Sequence, residues 1–340
     1  MEGNSKKRVL VTGGAGYIGS HCVLALLKHG YNVVIYDNLS TGHIETINTL
    51  KKYGNIRFYE GDLLHITYLD RVFKQTGIDA VIHFAACSQV SESVKNPQKY
   101  YINNVCGTIN LLKAMLDNDV KKIVFSSTAA TYGEPRYVPI DENHPQNPIN
   151  PYGHTKLMIE KILEDYDRAY DLRSVRLRYF NVAGADSEYR IGEWHEPETH
   201  LIPNILKSIF SDKKSFKMYG TDYQTKDGTC VRDYINVEDI AEAHVLALDY
   251  LNNGGKTDFF NLGTSEGNTV KEVFRICETV TNKKINAEIC PRREGDPAVL
   301  VADNAKAKHV LNWSQKKDFK HSIQTSYKWE QILFSGKAED

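Results

Sequence analysis

Short hydrophobic runs alternate with longer segments of helical periodicity through the first half of the chain. The runs are rich in β-branched residues and lie at 8–13, 31–37, 79–86, 121–127 and 174–180. Helix-length stretches lie between them, such as Ile18 to His29 and Gln98 to Leu116. Nearly continuous apolar strands that alternate with helices are typical of a parallel sheet covered on both faces. The pattern therefore predicts an α/β protein with a doubly wound parallel sheet.

The regular alternation weakens from about Asn181, where loops rich in charge and glycine begin. We expect a smaller, more irregular C-terminal substrate domain there. Three later segments, DYINV at 233–237, a helix from about Glu238 to Leu251 and FFNLG at 259–263, are expected to return to the first sheet. The predicted domains are residues 1–180 with 233–263, and residues 181–232 with 264–340.

Composition narrows the classes of function. Hydrophobic residues make up 41% and charged residues 25% of the 340 residues, which are ordinary globular values. A net charge of −1 argues against a nucleic-acid surface. The six cysteines form no Cys-x-x-Cys pair, and no ligand set for a metal is visible. The polar N-terminus and the absence of a long apolar run predict a cytoplasmic protein without a membrane partner.

A glycine-rich loop follows the first predicted strand. In VLVTGGAGYIGSH, Gly13, Gly16 and Gly19 have Gly-x-x-Gly-x-x-Gly spacing and lead into the first predicted helix. A dinucleotide pyrophosphate requires such a tight turn, a close backbone approach and the free amides of a helix N-terminus. Asp37 ends the second predicted strand, where its carboxylate would bind the adenosine ribose and repel a 2′-phosphate. The loop predicts a Rossmann-type site for NAD, with a glycine-rich structural turn as the alternative.

A tyrosine lies one helical turn ahead of a lysine in the segment PYGHTK at 151–156. Pro151 suits a first helical turn, and residues four apart share one helix face. Tyr152 and Lys156 are therefore neighbours, but such a pair is also common on solvated helix faces. Other parts of the chain must therefore decide whether this pair is catalytic or lies on a solvated helix face.

The whole chain supplies that context. It resembles the UDP-glucose 4-epimerases (UDP-galactose 4-epimerases) of the extended short-chain dehydrogenase/reductase family over essentially its full length. The resemblance rests on ten segments in order: GGAGYIGSH, DNLSTG, EGDL, VIHFAA, NNVCGT, FSSTAATYG, PYGHTK, RYFNVAGA, DGTCVRDYI and PRREGDP. It implies bound NAD, a UDP-sugar substrate, a homodimer formed by helices near 97–116 and 152–170, and inversion at carbon 4 of the hexose through a transient 4-keto sugar.

The resemblance also implies roles for individual residues. Tyr152 is expected to be the catalytic base and acid toward the sugar 4-hydroxyl, Lys156 to bind the nicotinamide ribose and favour the tyrosinate, and Thr128 to bind the reacting hydroxyl. The expected cofactor contacts are Gly13, Gly16, Tyr17, Ile18, Gly19, Asp37, Asn38, Asp62, Leu63, Phe84, Ala85, Asn103, Tyr152, Lys156, Tyr179 and Phe180. The expected substrate contacts are Thr128, Asn181, His200, Leu201, Tyr219, Arg232, Arg293, Asp296 and Leu300.

Three positions depart from the pattern of well-known epimerases. Cys87 and Ser88 stand where some members have a lysine that contacts the cofactor, and His200 stands where others have asparagine near the diphosphate. Leu300 occupies a sugar-pocket position that is tyrosine in some members. An aliphatic residue there leaves room for a 2-acetamido group, so activity on UDP-N-acetylhexosamines is also a hypothesis.

Other functions were weighed against epimerisation. The related 4,6-dehydratases resemble one another in an Asp-Glu pair after the strand-end threonine, whereas Ala129 and Ala130 follow Thr128 here. A UDP-N-acetylglucosamine 4-epimerase and a UDP-glucuronate decarboxylase remain alternatives. A non-enzymatic NAD-sensing module is expected to lack the tyrosine or the lysine, and this chain has both.

Overall fold

The computed structural model describes residues 7–210, 215–293 and 296–336. Within these ranges, seven strands form one sheet in which every neighbouring pair is parallel. Its strands are β1 (Arg8–Thr12), β2 (Asn32–Asp37), β3 (Ile56–Glu60), β4 (Ala80–His83), β5 (Lys122–Thr128), β6 (Arg173–Tyr179) and β11 (Asp258–Leu262). The spatial order is β3-β2-β1-β4-β5-β6-β11, so the order reverses beside β1, as expected for a doubly wound sheet.

Helices cover both faces of this sheet. They are α1 (Tyr17–Lys28), α2 (Ile44–Leu50), α3 (Ile66–Thr76), α4 (Val90–Lys95), α5 (Pro97–Tyr100), α6 (Gly107–Asp117), α7 (Pro151–Tyr170) and α9 (Val237–Asn252). One hydrophobic core, with Leu26 and Leu248 fully buried, lies under α1 and α9. A second core, with Phe73 and Leu111 buried, lies under α3, α6 and α7. The expected α/β fold is confirmed.

The remaining elements form a smaller region with its own core. They are β7 (Asn181–Ala183), α8 (Leu201–Ser208), β8 (Phe216–Tyr219), β9 (Val231–Arg232), β10 (Tyr234–Asn236), β12 (Asn268–Thr269), α10 (Val270–Thr281), β13 (Ala287–Cys290), β14 (Val299–Leu300) and α12 (Phe319–Gly336). The short helix α11 (Ala305–Val310) instead packs against β11, and its Ala307 is buried in the first core. The strands pair as β7 with β10, β8 with β13, and β12-β9-β14. Residues such as Ile205, Val273 and Ile323 are fully buried between the helices.

One segment differs from the sequence prediction. The strand at 258–262 pairs with β6 of the main sheet, and the helix at 237–252 packs over that sheet. Strand β10, however, pairs with β7 at Tyr234 and Asn181 rather than with the main sheet. A strand of three residues carries no signal for its partner, because the pairing depends on the tertiary contacts around it.

The predicted helix from Gln98 to Leu116 is interrupted. A π-helical turn, Tyr101–Cys106, lies between α5 and α6. Such turns occur frequently at functional sites.

No helix within the three described ranges combines the length and apolar character needed to span a membrane.

Candidate functional site

Several expected cofactor residues and the expected catalytic Thr128 converge at one edge of the main sheet. Gly13, Asp37, Phe84, Thr128 and Phe180 lie at or just after the carboxyl ends of β1, β2, β4, β5 and β6. Parallel strands present these ends along a single edge, where open α/β sheets bind their ligands. The backbone amides of Phe84 and Ala85 both donate to the carbonyl of Thr12, at 2.9 and 3.1 Å, which holds the β4 turn against the glycine loop.

Two glycines of the loop are required by the fold itself. Gly13 has a φ of +74°, and a Cβ placed on it would lie 2.6 Å from the amide nitrogen of Ala85. A Cβ on Gly19 would lie 2.1 Å from the carbonyl oxygen of Gly13. Neither position accepts a side chain, because backbone atoms occupy that space.

Gly16 differs from both. It precedes α1 with an ordinary φ of −81°, and a Cβ there would meet Gly13 O at 3.5 Å, a normal contact distance. The fold alone therefore does not require glycine at this position. A pyrophosphate approaching the free amides of the helix N-terminus would require it, so the loop fits a dinucleotide. Tyr17 and Ile18 supply the next amides, and the Tyr17 hydroxyl itself donates to the carbonyl of Gly184 at 2.6 Å.

The acidic residues beyond the loop are held in fixed positions. Asp37 is 7% exposed and accepts from the amides of Ala15 and Leu39 at 2.9 and 2.8 Å. Burial raises its pKa, and the two amide bonds oppose that rise. Asn38 donates to the carboxylate of Asp62 at 2.9 Å, which places Asp62, and Leu63 after it, beside the β2 turn. Asp37, Asn38 and Asp62 thus form a polar rim beside the carboxyl end of β2.

Tyr152 and Lys156 lie on the first turns of α7. The helix starts at Pro151, and its N-cap Asn150 accepts from the amide of Gly153 at 2.9 Å. The Lys156 ammonium is buried and donates to the carbonyl of Ser126 at 2.8 Å. The Ser126 hydroxyl is in turn bonded to that of Tyr179. The lysine is thereby fixed to the end of β5, two residues before Thr128.

Burial dominates the electrostatics of this pair. It raises the pKa of Tyr152 to about 12, although the hydrogen bond with Thr128 acts in the opposite direction. Burial also lowers the pKa of Lys156 to about 7, and its Nζ lies 5.8 Å from the Tyr152 ring centroid. The protein alone therefore does not prepare a phenolate, because desolvation disfavours both charges.

The cofactor loop after β4 is held by an asparagine that the sequence analysis did not identify. Asn104, in the π-helical turn, accepts from the amide of Cys87 at 2.8 Å, donates to its carbonyl at 3.0 Å and donates to Thr155 at 3.1 Å. Asn103 donates to the Asn104 side chain at 2.9 Å. The Asn104 side chain thus joins the backbone of Cys87 to the Thr155 hydroxyl on α7, a link that no sequence motif specifies.

Several expected substrate residues lie on or beside strands β9 and β14. Arg232 is 7% exposed and bonds to Asp296 at 2.6 Å and to the carbonyls of Val231 and Pro297. Leu300 lies opposite Arg232 in the pairing of β14 with β9. Several guanidinium N–H groups of Arg232 thus donate to its own chain, although the expected partner of this side chain is a diphosphate. A salt bridge between two predicted ligand contacts is a consequence of strand pairing, which the motifs do not reveal.

Arg293 and Arg292 differ in their surroundings. The Arg293 guanidinium lies 4.2 Å from the ring centroid of Tyr219, and Arg292 pairs with Asp222 at 2.7 Å. Both arginines face an open cleft, whose lining residues are Glu134, Tyr223, Arg292, Arg293, Asp296 and Ala298. Glu294 and Gly295 of the PRREGDP segment lie outside the described residues.

Asn181, another expected substrate contact, is exposed, and its backbone amide donates to the carbonyl of Asp233 at 2.9 Å.

His200 has a different neighbourhood from the other expected substrate residues. Its Nδ1 bonds to the carboxylate of Glu193, and its ring lies 5.3 Å from that of His195. Leu201 follows as the first residue of α8. No metal-ligand set was expected from the sequence, yet Glu193, His195, Glu198 and His200 lie together here. The missed signal was the spacing Glu-x-His-x-x-Glu-x-His over 193–200.

This chain is similar to known proteins over almost its whole length. Residues 10–326 match the family described as GDP-mannose 4,6 dehydratase. The UDP-glucose 4-epimerase of Halalkalibacterium halodurans is 54% identical over 308 residues, which cover 91% of this chain and 90% of that protein. A crystal structure of UDP-glucose 4-epimerase from Brucella ovis in complex with NAD has a TM-score of 0.90 and 45% identity, and covers 95% of this chain and 98% of that one.

A second structure adds a nucleotide. UDP-glucose 4-epimerase from Bifidobacterium longum in complex with NAD⁺ and UDP has a TM-score of 0.93 and 38% identity, covering 97% of this chain and 100% of that one. The chain therefore belongs to the UDP-glucose 4-epimerase family of extended short-chain dehydrogenase/reductases.

Proposed function

We propose that this protein interconverts UDP-galactose and UDP-glucose by inverting carbon 4 of the hexose, with NAD held at the glycine loop. One observation supports this most directly: Thr128, Tyr152 and the buried Lys156 meet at the sheet edge beside that loop. A hydroxyl pair and an ammonium are suited to moving a proton at a sugar hydroxyl. Ala129 and Ala130 follow Thr128 where a dehydratase would need carboxylates. When bound, NAD supplies the acceptor and donor of the hydride at carbon 4.

The chain's own residues have separate roles in this proposal. Tyr152 removes the proton of the 4-hydroxyl and returns it later, and Thr128 orients that hydroxyl by hydrogen bonding. Lys156, anchored on Ser126, would bind the nicotinamide ribose. Because burial raises the Tyr152 pKa, a further positive charge is needed nearby. One such charge at about 4 Å and an effective dielectric constant of about 20 contributes roughly 4 kcal/mol, or about three pKa units.

Inversion requires a firm hold on the nucleotide and loose contacts to the sugar. We assign the uridine diphosphate to the cleft beside Arg293, where the guanidinium has no acidic partner in the ion pairs of the described chain. Tyr219 lies under that guanidinium, and Asp296 borders the same cleft. Arg232 would act by holding Asp296 and, with its remaining donors, by contacting the diphosphate.

The assay is direct. Purified protein incubated with UDP-galactose and no added cofactor is expected to form UDP-glucose, because the proposed NAD stays tightly bound and each cycle regenerates it. Chromatography of the nucleotide sugars follows the product. Failure to form it even with NAD⁺ supplied would contradict the proposal. The same assay with UDP-N-acetylglucosamine tests whether Leu300 admits a 2-acetamido group, and absence of its galacto epimer at high enzyme concentration would exclude that second substrate.

We further propose that the protein is a cytoplasmic homodimer, and that residues 1–180 with the helix at 237–252 and the strand at 258–262 bind NAD while most of the remainder binds the UDP-sugar. The dimer is supported by exposed apolar side chains on four adjoining helical segments: Val94, Ile102, Ile109 and Met158 are 62, 42, 40 and 45% exposed. Clustered apolar surface marks interaction sites.

Sedimentation analysis tests the dimer. The protein is expected to sediment at twice the chain mass, and Ile109→Glu is expected to give monomers. Ile332→Glu, at a 46% exposed position on α12, is the control and should leave the dimer intact. A monomeric native protein, or a dimer unaffected by Ile109→Glu, would contradict this interface.

A further inference from the structure

Four side chains with metal-binding atoms converge outside the proposed catalytic residues. Glu193, His195, Glu198 and His200 each offer one ligand atom, and these atoms all lie within 4.8 Å of one another. We propose that this cluster is a binding site for a divalent transition-metal ion of the zinc type, which fixes the segment 193–200 beside the cofactor loop. The proposal goes beyond the epimerase function and does not depend on it.

The ligand types and spacing suit such an ion. Two imidazoles and two carboxylates form a set that Zn²⁺ accepts, with bonds of about 2.0–2.2 Å. Tetrahedral geometry with such bonds separates the ligand atoms by roughly 3.3–3.6 Å. The four ligand atoms, all within 4.8 Å of one another, are therefore already close to the spacing that such a site requires.

The buried carboxylates provide an independent observation. The Glu198 side chain is 5% exposed, and its Oε1 accepts from the amides of Thr199 and His200 at 2.7 and 2.8 Å. Oε1 also lies 3.8 Å from Nδ1 of His195, while the buried Oε2 has no hydrogen bond and forms an ion pair with the Lys207 ammonium at 3.5 Å. Burying a carboxylate is costly unless cations pair with it, and a metal ion beside Oε1 would add such a charge.

Glu193 is the centre of the cluster. Its side chain is 4% exposed, and Nδ1 of both His195 and His200 approaches the same oxygen, Oε1, at 3.3 Å in the case of His195. A metal ion could bind both Nδ1 atoms and this oxygen at once, whereas without it the two imidazoles approach a single oxygen. The His200 side chain is 54% exposed, which provides a path for an ion from solvent.

The position explains what the ion would stabilise. The His195 ring lies 6.3 Å from that of Tyr17 on the glycine loop, with an edge-to-face arrangement. On the other side, Trp194 stacks on His43 with ring centroids 3.7 Å apart. An ion at 193–200 would therefore connect the segment before α8 to the turn that holds the pyrophosphate.

Zinc binding to the full-length, untagged protein tests the proposal. After chelator treatment and removal of the chelator, ZnCl₂ alone is titrated by calorimetry and by competition with a chromophoric chelator. We expect one equivalent per chain and a raised melting temperature. Glu193→Gln and His200→Asn are expected to weaken binding at least 10-fold. His309→Asn, which changes an exposed histidine on α11, is the control and should bind zinc as the native chain does.

Two further measurements keep the outcome decisive. Circular dichroism establishes that each variant is folded, and His200→Asn changes an exposed side chain in case Glu193→Gln does not fold. Co²⁺ is then used as a spectroscopic probe, and intense visible bands that disappear in His200→Asn support four-coordinate binding. No zinc binding by the native protein, or equal binding by the native protein and a folded His200→Asn variant, would overturn the proposal.

Discussion

Replacing Tyr152 with phenylalanine is expected to lower kcat for UDP-galactose by about 10²- to 10⁴-fold, the range of a lost general acid–base group. The phenol is the proposed proton carrier, and Thr128 holds it by a hydrogen bond at the edge of the sheet. Lys156 cannot replace it, because its ammonium is fixed on the Ser126 carbonyl. The change removes one oxygen and leaves the helix start at Asn150 and Pro151 intact, so NAD is expected to remain bound.

The measurement combines turnover with cofactor content. Turnover comes from chromatographic product formation, and the NAD released on denaturation is quantified for each protein. Tyr170→Phe, at a 50% exposed position on the same helix, is the matched control and should keep native turnover. If Tyr152→Phe kept more than a tenth of the native kcat, the proton-transfer role of Tyr152 would be wrong.

Replacing Glu160 with glutamine is expected to lower the free energy of unfolding by about 3–5 kcal/mol, the usual cost of removing one partner from a buried ion pair. Glu160 and Arg178 are 1 and 3% exposed, and Arg178 Nε donates to the two carboxylate oxygens at 2.9 and 3.2 Å. Burial favours the neutral acid, but the Arg178 bonds outweigh it and hold the Glu160 pKa below its usual value. Without that charge, Arg178 remains buried and uncompensated.

Urea unfolding followed by circular dichroism measures the difference. Asp165→Asn, in the exposed pair with Arg168, is the matched control and should change stability by less than about 1 kcal/mol. Because the Glu160 pKa is lowered in the folded state, its contribution is complete above the ordinary carboxyl pKa and is lost as the pH falls through the lowered one. An unfolding free energy equal to that of the native protein at neutral pH would refute the assignment of this pair.

The sequence predicted the parts of the molecule that depend on local patterns. The five named strands, the glycine loop and the α7 turn with Tyr152 and Lys156 are found where their periodicity and spacing placed them. The partner of β10 was not predictable, since a three-residue strand is recruited by distant segments. The Arg232 bond to Asp296 joins residues 64 positions apart, and no motif encodes it.

Charge and burial produced the larger surprises. The Tyr152 pKa is raised because the site is desolvated, and a sequence does not state how deeply a tyrosine lies. At 193–200 the opposite holds, because the spacing of two glutamates and two histidines is visible in the sequence but was overlooked. Gly16 is a third case. The fold leaves room for a side chain at this position, so the glycine there is better explained by a bound ligand than by the backbone conformation.

The order of strands in the main sheet has a consequence for synthesis of the protein. β6 is covered at its outer edge by β11, whose Phe260 pairs with Leu177 after more than 80 intervening residues. A nascent chain must therefore leave the ribosome beyond residue 262 before the sheet is complete. Until then the unpaired edge of β6 is open to other chains. Truncations that end near residue 180 should accordingly aggregate, and chaperones that shield strand edges would act during this interval.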